Sequence, residues 1–311
     1  VKFVVYNPHS AGGRTGREWN RIAAHLRKAI GAFTDAATCA RNEATLLVRN
    51  AIRQGARHIV AVGGDGTINE AINGLFDDGL TIPPGIEFGF VAHGTGGDFR
   101  RTFDISSGIE LACARLASGA TRRIDLGRIR FVDDRGNVAV RHFNNIASLG
   151  LSGATARAVN NAAWSRGLLG EKALFHLHSV RELLRYRFAK VGLSVDGVPV
   201  ELGPIATIVI ANGRYFGGGM LVAPDALPDD GVFDLVVVRG KSKRELIAAL
   251  NLVYTGRHVS HPAVTLMRGR KIEVVPLDQV QAPVLLEIDG ESPGRLPASF
   301  EVLPSALTLR C

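Results

Sequence analysis

No apolar run in this 311-residue chain approaches the roughly 20 residues that a membrane-spanning helix requires. The longest clean one, Ile205 to Ala211, is strand-sized. Cysteine is scarce. Cys39, Cys113 and Cys311 are odd in number and far apart, with no C-x-x-C, so neither a disulfide framework nor a zinc knuckle is supported. No block of Lys and Arg marks a nucleic-acid tail, which argues against nucleic acid as a partner. Internal repeats and low-complexity tracts are absent. His176 and His178, like His258 and His261, lack a third ligand at metal spacing, which sets zinc chemistry aside. The chain opens on a strand-like Val1 to Val5, leaving no room for a signal peptide; a reducing, cytoplasmic compartment is the expectation.

What is present describes an ordinary globular protein. Hydrophobic residues make up 46% and charged residues 21%, which excludes a disordered chain. The length predicts two domains, with at least one large core. Lys and Arg number 37 against 29 Asp and Glu, a surplus of +8. Such a surplus either attracts phosphate, as nucleotide, nucleic acid or anionic headgroup, or simply solubilises the surface.

The first third alternates short apolar strands with segments of helical period. Phe3 to Tyr6, Ile59 to Val62 and Phe88 to Ala92 read as buried strands. Trp19, Ile22, Ala23, Leu26 and Ile30 fall on one helical face. Leu46, Leu47 and Ile52 suggest a second helix, Ile68, Ala71, Ile72 and Leu75 a third, and Ile109, Ala112, Cys113 and Leu116 a fourth. Repeated βα units of this length imply a mostly parallel sheet covered by helices, with ligands bound at the strands' carboxyl ends.

Near Ile124 the texture changes. Arg128 to Val132 and Val138 to Phe143 flank a polar turn and predict a hairpin. Strand-like runs follow at Val191 to Val195, Ile205 to Ala211, Val232 to Val238, Lys271 to Val275 and Val284 to Ile288. Helical stretches at Glu171 to Arg187 and Ser242 to Tyr254 interrupt them. The expected architecture is an α/β domain with a mostly parallel sheet over 1–125, to which 297–311 returns. A β-rich, mostly antiparallel domain covers 126–296.

Three glycine-rich loops carry the chemistry. The sharpest runs Val62-Gly63-Gly64-Asp65-Gly66-Thr67, a buried strand turning into a helix. Glycines let a backbone approach a ligand without Cβ interference, and a helix start offers N–H groups and a positive dipole end to phosphate. Asp65 is the oddity, since a carboxylate beside phosphate implies a bridging cation or a general base. The alternative is a tight turn with Asp as a helix cap. The other two loops are Asn7 to Arg14 and His93 to Arg101. Each alone is weak; three at strand ends of one sheet converge on one crevice. No Rossmann G-x-G-x-x-G or Walker loop is present. Farther on, Pro224 to Asp234 is an Asp-rich loop, either a hard-cation site or a solvated turn. Glu287-Ile288-Asp289-Gly290-Glu291 either supplies a base or is a generic D-G turn.

Together these residues resemble the diacylglycerol kinase/sphingosine kinase family, in its soluble bacterial lipid-kinase branch. The matching stretches are NPHSAGG at Asn7, GGDGTINEAINGL at Gly63 and GTGGDFRRT at Gly94. ANGRYFGGGM at Ala211, ALPDDGVFD at Ala226 and IDGE at Ile288 follow in family order. The resemblance implies a kinase that moves the γ-phosphoryl group of ATP to a lipid hydroxyl, diacylglycerol-like, with Mg²⁺. By match, Asn7, Pro8, His9, Ser10, Ala11, Thr38, Gly63, Gly64, Asp65, Gly66, Thr67, Ile68, Asn69 and Thr95 would contact ATP. Glu291 matches the family's proton acceptor. Asp65 would organise Mg²⁺ and phosphates or itself be the base, and Asp289 would support metal and geometry. A structural Mg²⁺ would use Asp230 with the backbone carbonyls of Leu227 and Val232.

Two departures bear on nucleotide affinity and base preference. Gly97 replaces the Asn of G-T-x-N-D-F, and Ala11 stands where the first loop's initial Gly is expected. Two rival functions share parts of the pattern: a soluble small-molecule kinase of the NAD-kinase type, and a nucleotide-binding module without turnover. A lipid acceptor implies peripheral contact with the inner membrane face. Leu168 to Arg187, with Leu169, Leu174, Leu177 and Leu184 beside Arg181, Arg185 and Arg187, is either a packed domain helix or a membrane-lying one.

Overall fold

The computed structural model describes residues 1–77, 80–161, 180–240, 242–277 and 283–311. The chain forms two units, Val1–Leu126 with Pro304–Cys311, and Gly127–Leu303. The first unit carries strands β1 (Lys2–Tyr6), β2 (Thr34–Ala37), β3 (His58–Gly63) and β4 (Glu87–Ala92), in the order β2-β1-β3-β4 and all parallel. Its helices are α1 (Ser10–Arg17), α2 (Trp19–Ile30), α3 (Glu43–Arg53), α4 (Asp65–Leu75), α5 (Asp98–Thr102) and α6 (Ile109–Ser118).

Register decides where the loops emerge. Tyr6 lies opposite Ala37 and Val62, and Gly63 opposite Ala92. The loops beginning at Asn7, Thr38, Gly64 and His93 therefore leave one edge of the sheet side by side. Parallel strands bury both faces, and Val4, Val60, Val62 and Val91 share a core with Ile22 and Leu26 of α2 and Cys113 and Leu116 of α6. Ile22 and Leu26 are fully buried, each worth about 1.5–3 kcal/mol.

Two details differ from the periodicity. β2, Thr-Asp-Ala-Ala, has no apolar run to announce it because it is an exposed edge strand. In α3 the buried face is Ala44, Val48 and Ala51, while Leu46 is 58% exposed. The reason is close helix approach. A Cβ at Gly74 of α4 would lie 2.6 Å from the Thr45 carbonyl and 2.8 Å from Val48 Cβ, so small residues face each other there.

In the second unit, β7 (Ile146–Gly150), β10 (Ile205–Ala211), β13 (Phe233–Arg239), β14 (Val264–Gly269) and β16 (Leu286–Ile288) form an antiparallel sheet ordered β14-β13-β10-β7-β16. Strands β5 (Thr121–Asp133) and β6 (Val138–Phe143) make the expected hairpin. β8 (Val191–Val195), β9 (Val198–Val200), β15 (Lys271–Pro276) and the long β17 (Gly294–Arg310) add further antiparallel pairs. β11 (Tyr215–Phe216) and β12 (Met220–Leu221) form a small hairpin. Alternate residues Ile208 and Ile210, with Phe233, Leu235 and Leu286, face Phe131, Leu193, Ile272, Val274 and Phe300 in one core.

Val209, Ala211 and Val236 point to the opposite side and are also buried. Both faces of β10 are thus covered, which explains why its sequence is apolar at every position but Thr207. Helices α7 (Leu151–Asn161) and α8 (Lys243–Ala249) belong to this unit, α8 continuing as a 3-10 turn over Leu250–Thr255. Of the proposed amphipathic stretch, 168–179 lie outside the described residues, and 180–185 are helical.

Candidate active site

The first loop is anchored at its root, where the Asn7 amide donates to the Val62 carbonyl at 3.0 Å. Asn7 Nδ2 donates to Thr67 Oγ1 at 3.3 Å, its Oδ1 accepts from the His9 amide at 2.9 Å, and its carbonyl accepts from Ser10 Oγ at 2.9 Å. Ala11, Gly12 and Gly13 then take three successive left-handed conformations, with φ of 52°, 66° and 82°. The alanine costs roughly 1 kcal/mol there, where glycine would not.

Loops two and three meet backbone to backbone. The His93 amide donates to the Gly63 carbonyl at 2.7 Å, and a Cβ on Gly94 would lie 2.5 Å from Gly64 Cα. Asp65 ties them. Its Oδ2 accepts from the amides of Gly97 at 2.7 Å and Asp98 at 3.1 Å, and its Oδ1 from Phe99 at 3.2 Å. It therefore caps α5, across the loop, and not its own helix α4. The N-cap of α4 is Gly64, which has no side chain to offer, and the first amides of the helix have no intrahelical partner. Gly97 sits at φ 71°, a left-handed position that glycine or asparagine tolerates. Arg101 closes the third loop by donating to Gly96 O at 2.6 Å and Asp98 Oδ1 at 2.7 Å.

The remaining residues of the expected nucleotide site are distributed around this edge. Thr95 is exposed, His9 and Gly66 are exposed, and Thr67 and Asn69 are buried. The Ile68 side chain is fully buried, so only its backbone faces the loop, with its amide bonded to the Gly64 carbonyl at 3.1 Å. Thr38 is buried and donates its amide to Tyr6 O at 2.9 Å. Pro8 accepts from the Gly16 amide at 3.0 Å. Sequence reasoning assigns no role to Thr15 or His93. Yet Thr15, fully buried, hydrogen-bonds both Ser10 Oγ and His93 Nδ1. Burial, with Arg14 adding to it, holds the His93 imidazole below its ordinary pKa.

In the second unit the D-G-E turn is anchored by its own carboxylates. Asp289, at φ 44°, accepts from the amides of Asn144 at 2.9 Å, Asn145 at 3.2 Å and Ile146 at 2.8 Å. Buried Glu287 accepts from Ser148 Oγ and from the Gly290 amide at 2.7 Å. Both oxygens of Asp289 thus hold backbone in place. Glu291 is different. Its half-buried carboxylate meets the Arg141 guanidinium at 2.7 Å, a partner that sequence spacing does not reveal.

The Asp-rich loop does not fit a resident Mg²⁺ as it stands. The Asp230 carboxylate pairs with the Arg268 guanidinium and accepts the Val232 amide at 3.2 Å. The same guanidinium lies 3.3 Å from Asp234. The cation beside these carboxylates is thus an arginine. Leu227 is 53% exposed. Among the described residues no three His, Cys, Asp or Glu side chains are grouped to hold a metal ion.

On the outer face of the five-stranded sheet lies a cavity of about 140 Å³. Its walls are apolar, from Leu151, Val209, Val222, Val238, Leu246 and Leu250, with the hydroxyls of Ser152, Thr155 and Thr207 at one side. Ser152 and Thr207 hydrogen-bond each other at 2.9 Å. Buried His258 stands in the wall, bonded through Nε2 to the Val222 carbonyl at 2.9 Å.

Comparison with known proteins agrees with this architecture. Residues 2–129 match the diacylglycerol kinase catalytic domain, and residues 145–311 the YegS C-terminal NAD kinase beta sandwich-like domain. A diacylglycerol kinase of Staphylococcus carnosus is 26% identical over 297 residues, covering 96% of this chain and 90% of that protein. One of Mycobacterium tuberculosis is 28% identical over 268 residues, covering 86% and 80%. A crystal structure of a diacylglycerol kinase from Bacillus anthracis shares the fold with a TM-score of 0.71 at 19% identity, over 99% of this chain and 96% of that one. The protein is a kinase, a phosphotransferase with an alcohol group as acceptor. It belongs to the bacterial diacylglycerol kinase family with a YegS-like C-terminal domain.

Proposed function

We propose that the protein transfers the γ-phosphoryl group of Mg·ATP to the hydroxyl of a diacylglycerol-like lipid. The observation that carries this reading is the convergence of three glycine loops at one sheet edge, beside a helix start whose N-cap is a glycine. The loop amides and the α4 N-terminus would receive the phosphates, with Asn7, Ser10, Thr67 and Thr95 as nearby polar side chains. Mg²⁺, arriving with the triphosphate, would neutralise charge on the phosphoryl oxygens. Asp65 is the carboxylate at that edge, and its Oδ1 keeps acceptor capacity beyond the single amide it holds.

A lipid hydroxyl ionises far above neutral pH, so a carboxylate that takes its proton as the O–P bond forms lowers the barrier. Glu291 is that acceptor in our reading. Asp289 and Glu287 hold the turn that presents it, and Arg141 fixes its carboxylate. The apolar cavity, with hydroxyls along one side, supports an aliphatic chain as part of the acceptor. Acceptors of this kind reside in bilayers, so the enzyme would work at the inner membrane face from the cytoplasm.

The test is transfer of labelled γ-phosphate to a panel of diacylglycerol, phosphatidylglycerol, sphingoid base and soluble NAD. Phosphorylation of a lipid alone is expected. Label on NAD alone, or on nothing, would sink the reading. Glu291→Gln should lower turnover by roughly two to four decades while Mg·ATP binding persists; normal turnover would remove the residue from this role.

A further inference from the structure

Ser10, Thr15 and His93 join the first and third loops, and of the three only Ser10 has a part in the function so far. His93 follows β4 at the head of the third loop, and its amide is pinned to Gly63 O. Its Nδ1 lies 2.7 Å from Thr15 Oγ1. Thr15 Oγ1 lies 2.5 Å from Ser10 Oγ, and Ser10 Oγ lies 2.9 Å from the Asn7 carbonyl. The Thr15 side chain is fully buried, so water cannot substitute for its partners.

Proton counting gives this chain a direction. Each hydroxyl has one proton to donate. A carbonyl only accepts, so Ser10 donates to Asn7. Thr15 then has to donate to Ser10, with the Ser10 carbonyl at 3.3 Å as a second acceptor on the same side. The Nδ1 of His93 is left as the donor to Thr15. The tautomer is assigned by the partners, as is usual for imidazole. Ser10 thus accepts from Thr15 and spends its own proton on the Asn7 carbonyl. A phosphate oxygen arriving there can replace the Asn7 carbonyl without any other bond in the chain reversing. Successive donors polarise one another, so the hydroxyl at the end of the row is a better donor than an isolated serine.

We propose that His93 is a positioning residue that orients the Ser10 hydroxyl toward a nucleotide phosphate, acting through Thr15. The proposal rests on the Mg·ATP reading above. The same row ties the first loop, with Ala11 in a left-handed position, to the third. The third loop holds it from the side.

Calorimetric titration with Mg·ATP on the full chain tests this. His93→Leu and Thr15→Val should each weaken binding about tenfold. The double variant should be no weaker than either single one, because both cut the same row. His93→Asn, which can place an N–H near Nδ1, and Thr15→Ser, which keeps the hydroxyl, should stay within about twofold of the parent. A general packing defect would not be rescued by these two conservative changes. Losses that multiply in the double variant, or a His93→Asn as weak as His93→Leu, would overturn the proposal. If the parent binds Mg·ATP and His93→Leu binds it equally well, the positioning role alone falls. A parent that fails to bind Mg·ATP at millimolar concentration removes the nucleotide reading, and this role with it.

Discussion

Asp65 and Asp289 occupy different units but do the same physical work, each accepting three backbone amides. A carboxylate can accept on both oxygens, and charged acceptors make stronger hydrogen bonds than neutral ones. An asparagine has one acceptor oxygen, and its NH₂ would face an amide. Asp65→Asn should therefore destabilise the first unit by about 1–3 kcal/mol, read as a lower midpoint in urea, and weaken Mg·ATP binding as the third loop loosens. An unchanged midpoint would show that the 97–99 amides find other partners. From the sequence alone Asp65 is either a phosphate-site carboxylate or a helix cap. The cap is real but belongs to α5, 32 positions away, and no local pattern reports that distance. Asp289, expected to support a metal, anchors a turn for the same kind of reason: its amide partners are about 145 residues back in the chain.

At the scale of elements, the strand ends and helix starts explain most of the site. β1, β3 and β4 end in register, so the loops need no special device to meet. The Asp-rich loop after β12 is held otherwise. Arg268 on β14 joins Asp230 and Asp234, and burial raises the Asp234 pKa, with nearby Asp230 and Asp225 adding to it. The arginine is 53% exposed at its side chain, so the pairing is worth no more than about 1 kcal/mol. The expected result is a parent whose melting temperature does not respond to magnesium. An Arg268→Ala chain should melt lower and regain part of the loss when magnesium is added. A parent strongly stabilised by magnesium would show that the ion displaces the arginine. The Asp-rich motif was visible in the sequence; the neutralising arginine, on a strand 38 positions later, was not.

At the scale of the molecule, buried histidines set the response to acid. His142 is pushed down to about 4 from 6.5, first by burial and then by Arg128. Between those values the unfolded chain binds a proton that the folded chain refuses, so stability rises with pH across that interval and falls as pH drops through it. The loss is about 3 kcal/mol by pH 4. His258 and His93, lowered by burial, act in the same direction. Denaturant midpoints measured from pH 7.5 to 4 should decline, and His142→Gln should flatten the slope. A slope unchanged in that variant would assign the acid response to other groups. The net charge of +8 has its own consequence. No helix among the described residues is long and apolar enough to cross a membrane. Binding to anionic vesicles driven by this charge should weaken as salt rises. Flotation with and without salt reads this directly. Absence of binding at low salt would remove the membrane face from the functional reading.

Fold class, the strands that end in glycine loops, and the family are all legible in the order of the residues, because these follow from local periodicity and from backbone conformations only glycine adopts readily. That order also pointed to Glu291 and the three loops as the places for chemistry. The partners of those residues come from the folded chain. Ser10 meets His93 through Thr15, whose ring partner is 78 positions away, Glu291 meets Arg141, and the cavity collects apolar residues that serve equally well as ordinary core. Hydrogen bonds and apolar contacts of that range depend on how strands are ordered and registered, and hydrophobic periodicity carries no record of which distant polar atom will lie within 3 Å.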